Sequence, residues 1–214
     1  MNPAADPTPD PAAFHFPPVR PPLAAPLVAA FAAAELALHL IVLAVTPYGI
    51  HRDAFLYFAM GDHLRLWRMD FPPFIAIMGN IQTALFGHTL TAARVFPALE
   101  GAAILVLAAL IARELGGGRF AQGLAMLPML CAGIFLRPAN LFQPVVLDQV
   151  WWTLALYALL RVGRARSTGD GRAERNWWLA FGAAMGFGLL TKFSSLFIGF
   201  SVLCAIVATP LRRS

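Results

Sequence analysis

Long apolar blocks, joined by short segments that carry most of the arginines, restrict the fold of this sequence more than any other feature. Hydrophobic residues make up 59% of the 214 residues and charged residues 13%, which is about half the charged share of a soluble globular domain. So few charges cannot cover the surface of a soluble fold. Soluble enzymes, disordered proteins and secreted disulfide scaffolds are therefore excluded.

The apolar blocks predict an all-α integral membrane protein, a polytopic helical bundle. Helices and closed barrels are the structures that satisfy the backbone in lipid, and the alternating strands of a barrel do not occur in this sequence. A proline-rich tail is expected to be disordered over 1–22, and residues 210–214 form the other end. The transmembrane domain is expected over 23–209, with an outer loop of interfacial helices at 47–90. Six spans are predicted, at 23–46, 91–113, 120–136, 145–162, 176–191 and 193–209.

The arginines predict the orientation of the chain. The connections that share a side with the N-terminus hold Arg113, Arg119, Arg161, Arg164, Arg166, Arg172 and Arg175, and Arg212 and Arg213 close the sequence on that side. The positive-inside rule makes that side cytoplasmic. We therefore expect a multi-pass protein of the inner cell membrane with its remaining polar features on the outer, periplasmic face. Basic residues that flank spans in this way do not indicate a nucleic-acid partner, despite the net charge of +5.

Two polar residues lie inside the first predicted span. Glu35 and His39 are four residues apart and therefore share a helix face. Glu100 lies at a similar depth in the second span, so we expect it to meet Glu35. A buried polar pair without a catalytic role is the favoured interpretation.

Three residues of the outer loop could carry chemistry. Asp53 and Tyr57 are four residues apart and share a face if this segment is helical. Asp70 precedes the Pro72–Pro73 pair, which would fix the direction of the chain. A carboxylate near an apolar surface can take a proton from an acceptor hydroxyl. The alternative is that Asp53 and Asp70 form ion pairs with the arginines of the same loop, namely Arg52, Arg65 and Arg68.

Two more ionisable residues lie at the outer ends of later spans. Asp148, near the start of the fourth span, is either a functional carboxylate or an interfacial one that pairs with water or Arg137. Lys192 either extends harmlessly to the interface or holds an anionic headgroup. No metal-ligand spacing is evident, and the sequence leaves cofactors unknown, including a possible divalent metal.

The ordered series of segments resembles the N-terminal half of bacterial family 39 glycosyltransferases, of the protein-mannosyltransferase and aminoarabinose-transferase type. The similarity runs from about residue 48 to residue 206, through HRDAFLYFAMGDHL, MDFPPFIAIMGNIQTALFG, VVLDQVWWTLALYALLRV and GFGLLTKFSSLF. The resemblance implies a GT-C fold and an inverting transfer of a sugar from a polyprenyl-phosphate carrier to an acceptor hydroxyl at the outer face. Membrane lipid and the lipid-linked donor are the partners that it implies.

The resemblance also implies roles for individual residues. Asp53 matches the presumed catalytic base of the family, and Asp70, with its proline pair, matches an acidic-x-Pro-Pro element. Asp148 is similar to a second acidic position near the site. Tyr57 and Lys192 match recurrent substrate-binding positions. Lys192, together with Arg137 or Arg52, is expected to face the carrier phosphate.

Two departures leave alternatives open. Ala54 stands where the family usually has Glu, and the sequence is shorter than is usual for the family. The chain is therefore expected to be the N-terminal portion of such an enzyme, or to need a partner chain that completes the fold. The alternatives are a non-catalytic membrane subunit or degenerate relative and, less favoured, a small-molecule transporter.

Overall fold

The computed structural model describes residues 16–66 and 68–208. The described part of the chain is all-helical and contains no strand, as predicted. A short 3-10 helix, Pro138–Asn140, precedes α7. The helices are α1 (Ala25–Val45), α2 (Arg52–Asp62), α3 (Phe74–Phe86), α4 (Leu90–Glu114), α5 (Arg119–Cys131), α6 (Gly133–Leu136), α7 (Pro144–Ser167), α8 (Gly171–Thr191) and α9 (Ser195–Ala208).

Three of these helices, α1, α4 and α7, are long and apolar enough to cross a membrane. The pair formed by α5 and the following segment Gly133–Asn140 makes a fourth span if it is counted as one, but it is bent by 67°. The break has a local cause, because Pro128 lies inside α5 and Ala132 has extended backbone. The all-α membrane fold is thus confirmed, whereas the predicted count of six spans is not.

The last two predicted spans correspond to α8 and α9, and each falls short for its own reason. The first turns of α8 carry Arg172, Glu174 and Arg175, so its apolar part begins only near Trp177. Helix α9 has 14 described residues, whereas about 20 are needed to cross the hydrocarbon. The predicted end of the sixth span at residue 209 and the segment 210–214 lie outside the described residues.

The segment predicted as an outer loop contains two short helices, α2 and α3, that pack closely on each other. A Cβ added to Gly61 would lie 2.7 Å from the backbone nitrogen of Asn80 and 2.8 Å from the carbonyl oxygen of Ala76. The Asn80 side chain donates a hydrogen bond to the Gly61 carbonyl at 3.2 Å. Glycine at position 61 therefore sets the distance between these helices.

We expect Gly61→Ala to destabilise the protein by about 1–3 kcal/mol, because α2 and α3 must separate to admit the methyl group. Gly182→Ala is the matched control. Gly182 is also helical, but a Cβ there meets nothing within 4 Å, so alanine should be neutral or stabilise by up to about 1 kcal/mol. Thermal unfolding in detergent, followed by circular dichroism, measures both. Equal effects of the two variants would contradict the packing described here.

Glu35 and His39 form a polar pair inside α1, as predicted, but Glu100 does not join them. The His39 imidazole and the Glu35 carboxylate are buried and form a hydrogen bond of 3.0 Å. Glu35 lies against Gly101 of α4, where an added Cβ would be 3.0 Å from its Oε1 atom. No hydrogen bond or ion pair joins Glu35 to Glu100 within the described ranges. The residue of α4 that lies against Glu35 is therefore Gly101 and not Glu100.

Residues 16–24 form a strap across the end of the bundle where α4 and α7 end, which we call the strap end. Arg113 Nε donates to the Pro21 carbonyl at 2.9 Å. Gln122, which is fully buried, donates to the Pro22 carbonyl and accepts from the Ala24 backbone N–H. The expectation of disorder over 1–22 is therefore wrong for residues 16–22, whose backbone oxygens are bound by side chains of the bundle. Residues 1–15 lie outside the described part.

A buried carboxylate joins the strap to the bundle. Glu114, the last residue of α4, is fully buried, and its Oε1 atom lies 2.7 Å from Arg20 Nη1 in the strap. Its Oε2 atom lies 2.7 Å from Arg164 Nε, and Arg161 Nη1 lies 3.6 Å from Oε1. Arg161 also stacks on the Trp177 ring, 4.4 Å from its centroid. One carboxylate therefore connects the strap, α4, α7 and, through Arg161, α8.

Candidate active site

The Asp53 carboxylate lies at the opposite end of the bundle, which we call the loop end. Asp53 is in the first turn of α2, where the helix dipole favours a negative charge. Gln143, which precedes α7, donates a hydrogen bond to Asp53 Oδ2 at 3.1 Å. Arg52 Nε lies 3.3 Å from Oδ1. The side chain remains 41% exposed, so it is held in place while solvent can still reach it.

His51 forms the cap of the same helix. Its Nδ1 atom accepts a hydrogen bond from the Asp53 backbone N–H at 3.3 Å. The Gln143 amide nitrogen lies 3.4 Å from the same Nδ1 atom. His51, Asp53 and Gln143 therefore form one connected group that ties the start of α2 to the start of α7.

A cavity of about 630 Å³ opens beside this group, and we call it the arginine cavity. Three arginines from three different segments line it, namely Arg52, Arg94 and Arg137. Arg94 Nη2 donates to the Tyr48 carbonyl at 3.1 Å, while its buried Nη1 has no hydrogen-bond partner among the described residues. The other lining residues are Thr46, Tyr48, Gly49, Ile50, His51, Asn140 and Leu141. Three guanidinium groups in one cavity suit an anion such as a phosphate.

Tyr57 lies one turn after Asp53 on α2 and is buried. Its ring makes edge-on contacts with Phe71 and Phe142, with centroids 5.7 and 6.1 Å away. Burial raises the pKa of the Tyr57 phenol above its usual value, and the nearby Asp53 charge raises it further. Tyr57 is therefore a neutral hydroxyl at neutral pH, packed at the base of the loop end.

Ala54, which replaces the Glu usual in the resembling family, is also buried. It lies in an apolar cluster with Tyr57, Phe58, Ile75 and Phe142. A side chain at position 54 thus faces a packed interior, and it does not line the arginine cavity.

Asp70 lies apart from Asp53. It lines a second, smaller cleft of about 310 Å³, together with Arg65 and Arg68. None of these three residues lines the arginine cavity. Asp70 thus shares a cleft with these arginines, but no ion pair joins them in the part of the chain described, so the ion pair that the alternative interpretation expected is not formed by Asp70. Asp53 does lie 3.3 Å from Arg52, as that interpretation expected.

Asp148 and Lys192 lie close together at the loop end, on the α7–α8 side. Asp148 is 8% exposed and accepts a hydrogen bond of 2.7 Å from Ser194 Oγ. Lys192, the residue that follows α8, is near enough to act on the carboxylate electrostatically. Asp148 comes five residues after Gln143, or about 7.5 Å further along α7. It therefore lies deeper in the bundle than the end of α7 that contacts Asp53.

Sequence reasoning missed three residues of this site, namely His51, Gln143 and Arg94. Arg94 carried a usable signal, because an arginine inside a predicted span is a functional candidate by default. His51 and Gln143 carried weaker ones. Each immediately precedes a helix, but their contact with Asp53 joins segments that are 90 residues apart.

No group of three or more His, Cys, Asp or Glu side chains is arranged to hold a metal ion within residues 16–66 and 68–208.

A comparison with models of protein families identifies the family of this chain. Residues 70–214 match the family described as dolichyl-phosphate-mannose-protein mannosyltransferase. Searches of curated proteins and of solved structures gave no significant match. The matched range includes Arg94, Arg137, Gln143 and Asp148, and it begins after Asp53. Because this range covers more than half of the sequence, the chain belongs to the dolichyl-phosphate-mannose-protein mannosyltransferase family, membrane glycosyltransferases of the GT-C type that use a lipid-linked sugar donor.

Proposed function

We propose that the chain transfers a sugar from a polyprenyl-phosphate carrier to an acceptor hydroxyl, with inversion, and that Asp53 is the general base. The observation that carries this proposal is the position of the Asp53 carboxylate beside a cavity lined by Arg52, Arg94 and Arg137. Such an arrangement offers a proton acceptor for the attacking hydroxyl and cations for the departing phosphate.

The proposed mechanism rests on position and charge. The acceptor oxygen attacks the anomeric carbon opposite the carrier oxygen, while its proton passes to Asp53. Cleavage of the carbon–oxygen bond leaves the negative charge on the phosphate, which the arginines stabilise. Holding the two reactants in line supplies a large share of the rate.

Other charged residues of the loop end have supporting roles in this proposal. Asp148, bound by Ser194, shapes the acceptor side of the site, and Tyr57 positions the helix that carries the base. Lys192 was expected to face the carrier phosphate, but it lies near Asp148 and does not line the arginine cavity, so we assign it to the acceptor side. Asp70 and its cleft lie outside the arginine cavity. In this proposal they bind a part of the acceptor that is further from the reacting hydroxyl.

We further propose that the loop end faces the outer side of the cell membrane. The strap end carries Arg20, Arg113, Arg119, Arg161, Arg164, Arg166, Arg172 and Arg175. Under the positive-inside rule, this end and the N-terminus are cytoplasmic.

Arg137→Gln tests the proposed phosphate contact. We expect the KM for polyprenyl-phosphate-mannose, used as the first donor, to rise about tenfold or more, since a charge-assisted hydrogen bond contributes about 1.5–3 kcal/mol. Arg65→Gln, in the second cleft, is the control and should leave KM within about twofold. Transfer in membranes that contain the chain measures both. A larger loss in the control than in Arg137→Gln would overturn the assignment of the cavity.

A further inference from the structure

The hydrogen bonds at His51 fix which of its ring nitrogens carries the proton. Nδ1 faces the Asp53 backbone N–H at 3.3 Å and the Gln143 amide nitrogen at 3.4 Å, and both groups are donors. Asp53 Oδ2 lies 3.7 Å from Nδ1, which is beyond hydrogen-bond distance. A neutral imidazole has one donor and one acceptor nitrogen. Nδ1 is thus the acceptor and Nε2 carries the hydrogen.

His51 also lines the arginine cavity, with about a third of its side chain exposed. Asp53 and Gln143 occupy its Nδ1 atom. The Nε2–H on the other side of the ring is not used in these contacts. The three arginines of the cavity bring positive charge, whereas this N–H is a neutral donor with a direction set by the ring.

We propose that His51 is a phosphate-binding residue, which donates its Nε2–H to a phosphate oxygen held in the arginine cavity. The inference rests on the proposed function, because it assumes that a phosphate occupies this cavity. Gln143 binds both His51 Nδ1 and Asp53 Oδ2. One connected group therefore fixes the distance between the bound phosphate and the base.

A purely structural role, in which His51 only caps α2, makes a different prediction. The cap uses Nδ1, and the phosphate contact uses Nε2. Asparagine places its amide near the position of Nδ1, and it is a favoured cap residue. Glutamine places its amide near the position of Nε2. His51→Asn therefore keeps the cap and removes the donor, whereas His51→Gln keeps a donor near the cavity.

The first test is the ¹⁵N spectrum of the purified protein with labelled histidines, recorded at alkaline pH to study the neutral imidazole form. The signals of His51 are those that disappear from the spectrum of His51→Asn or His51→Gln. We expect the pattern of an imidazole protonated at Nε2. The pattern of an Nδ1–H tautomer would overturn the inference without any need for substrate or activity.

The second test measures binding of farnesyl monophosphate, and separately of inorganic phosphate, to the protein in detergent. We expect His51→Asn to weaken binding about tenfold or more, as for a hydrogen bond to a charged group, and His51→Gln to stay within about threefold of the unaltered protein. The inorganic phosphate arm shows whether the phosphate alone is bound or whether the prenyl chain is also needed. A loss in His51→Asn in either arm supports the inference.

The outcomes separate the two proposals. If His51→Asn binds as the unaltered protein does while Arg137→Gln binds more weakly, the role of His51 is wrong and the proposed function stands. If the unaltered protein binds neither probe, the proposed phosphate site is wrong and the role of His51 falls with it. Circular dichroism of each variant confirms that the helices remain folded.

Discussion

Asp53→Asn should reduce sugar transfer by about 100- to 10,000-fold, the contribution of a positioned general base. Asparagine keeps the size of the side chain and can still accept the hydrogen bond from Gln143, so α2 and α7 should remain joined. The KM for the donor should change little, because the arginine cavity is intact. The loss should therefore appear in kcat, measured as transfer from polyprenyl-phosphate-mannose in membranes that contain the chain.

Asp62→Asn is the matched control for this variant. Asp62 ends the same helix, is partly exposed, and lies 3.7 Å from His88 without facing the arginine cavity. We expect its transfer rate to stay within about twofold. Retention of transfer by Asp53→Asn within threefold of the unaltered protein would remove Asp53 from the mechanism. Loss of membrane insertion in that variant would instead show that Asp53 is structural.

Glu114→Ala should destabilise the protein by about 3–5 kcal/mol, the effect of breaking a buried ion pair. Removal of the carboxylate leaves Arg20, Arg161 and Arg164 next to one another without their shared anion. At about 2–4 °C per kcal/mol for a protein of this size, the midpoint of thermal unfolding should fall by roughly 6–20 °C. Circular dichroism in detergent measures this shift.

Glu174→Ala provides the comparison for Glu114→Ala. Glu174 pairs with Arg166 at 2.8 Å, but this pair is partly exposed, and such pairs contribute about 0–1 kcal/mol. Arg20→Ala adds a second measurement, because it releases the strap and leaves two arginines on Glu114. It should destabilise the protein less than Glu114→Ala does. Equal midpoints for the Glu114 and Glu174 variants would contradict the central position given to Glu114.

The parts of the fold that the sequence predicts well are those fixed by local hydropathy. The spans expected near 23–46, 91–113 and 145–162 correspond to α1, α4 and α7. The bend after α5 was missed because apolar residues continue through it, and only Pro128 marks the place. Helix α8 is not among the spans because its first turns are charged, and hydropathy alone does not show where a helix begins. Helix α9 is not among them because only 14 of its residues are described.

Contacts between distant segments were beyond sequence reasoning. Glu114 follows the predicted end of a span and has the character of an ordinary flanking charge, yet its partners come from the strap and from α7. Likewise, the local pattern identified Asp53, whereas Gln143 lies 90 residues away. For the phosphate, the sequence favoured Lys192 together with Arg137 or Arg52. Both arginines line one cavity, whereas Lys192 lies near Asp148 and does not line that cavity.

Photocross-linking at Leu141 tests the central claim most directly. A benzophenone side chain at position 141 lies in the arginine cavity, and one at Met69 lies in the second arginine-bearing cleft. With radiolabelled polyprenyl-phosphate-mannose in membranes, we expect labelling at position 141 that excess farnesyl monophosphate reduces, and little at position 69. Labelling at position 69 alone, or at neither position, would contradict the account of the arginine cavity as the donor site.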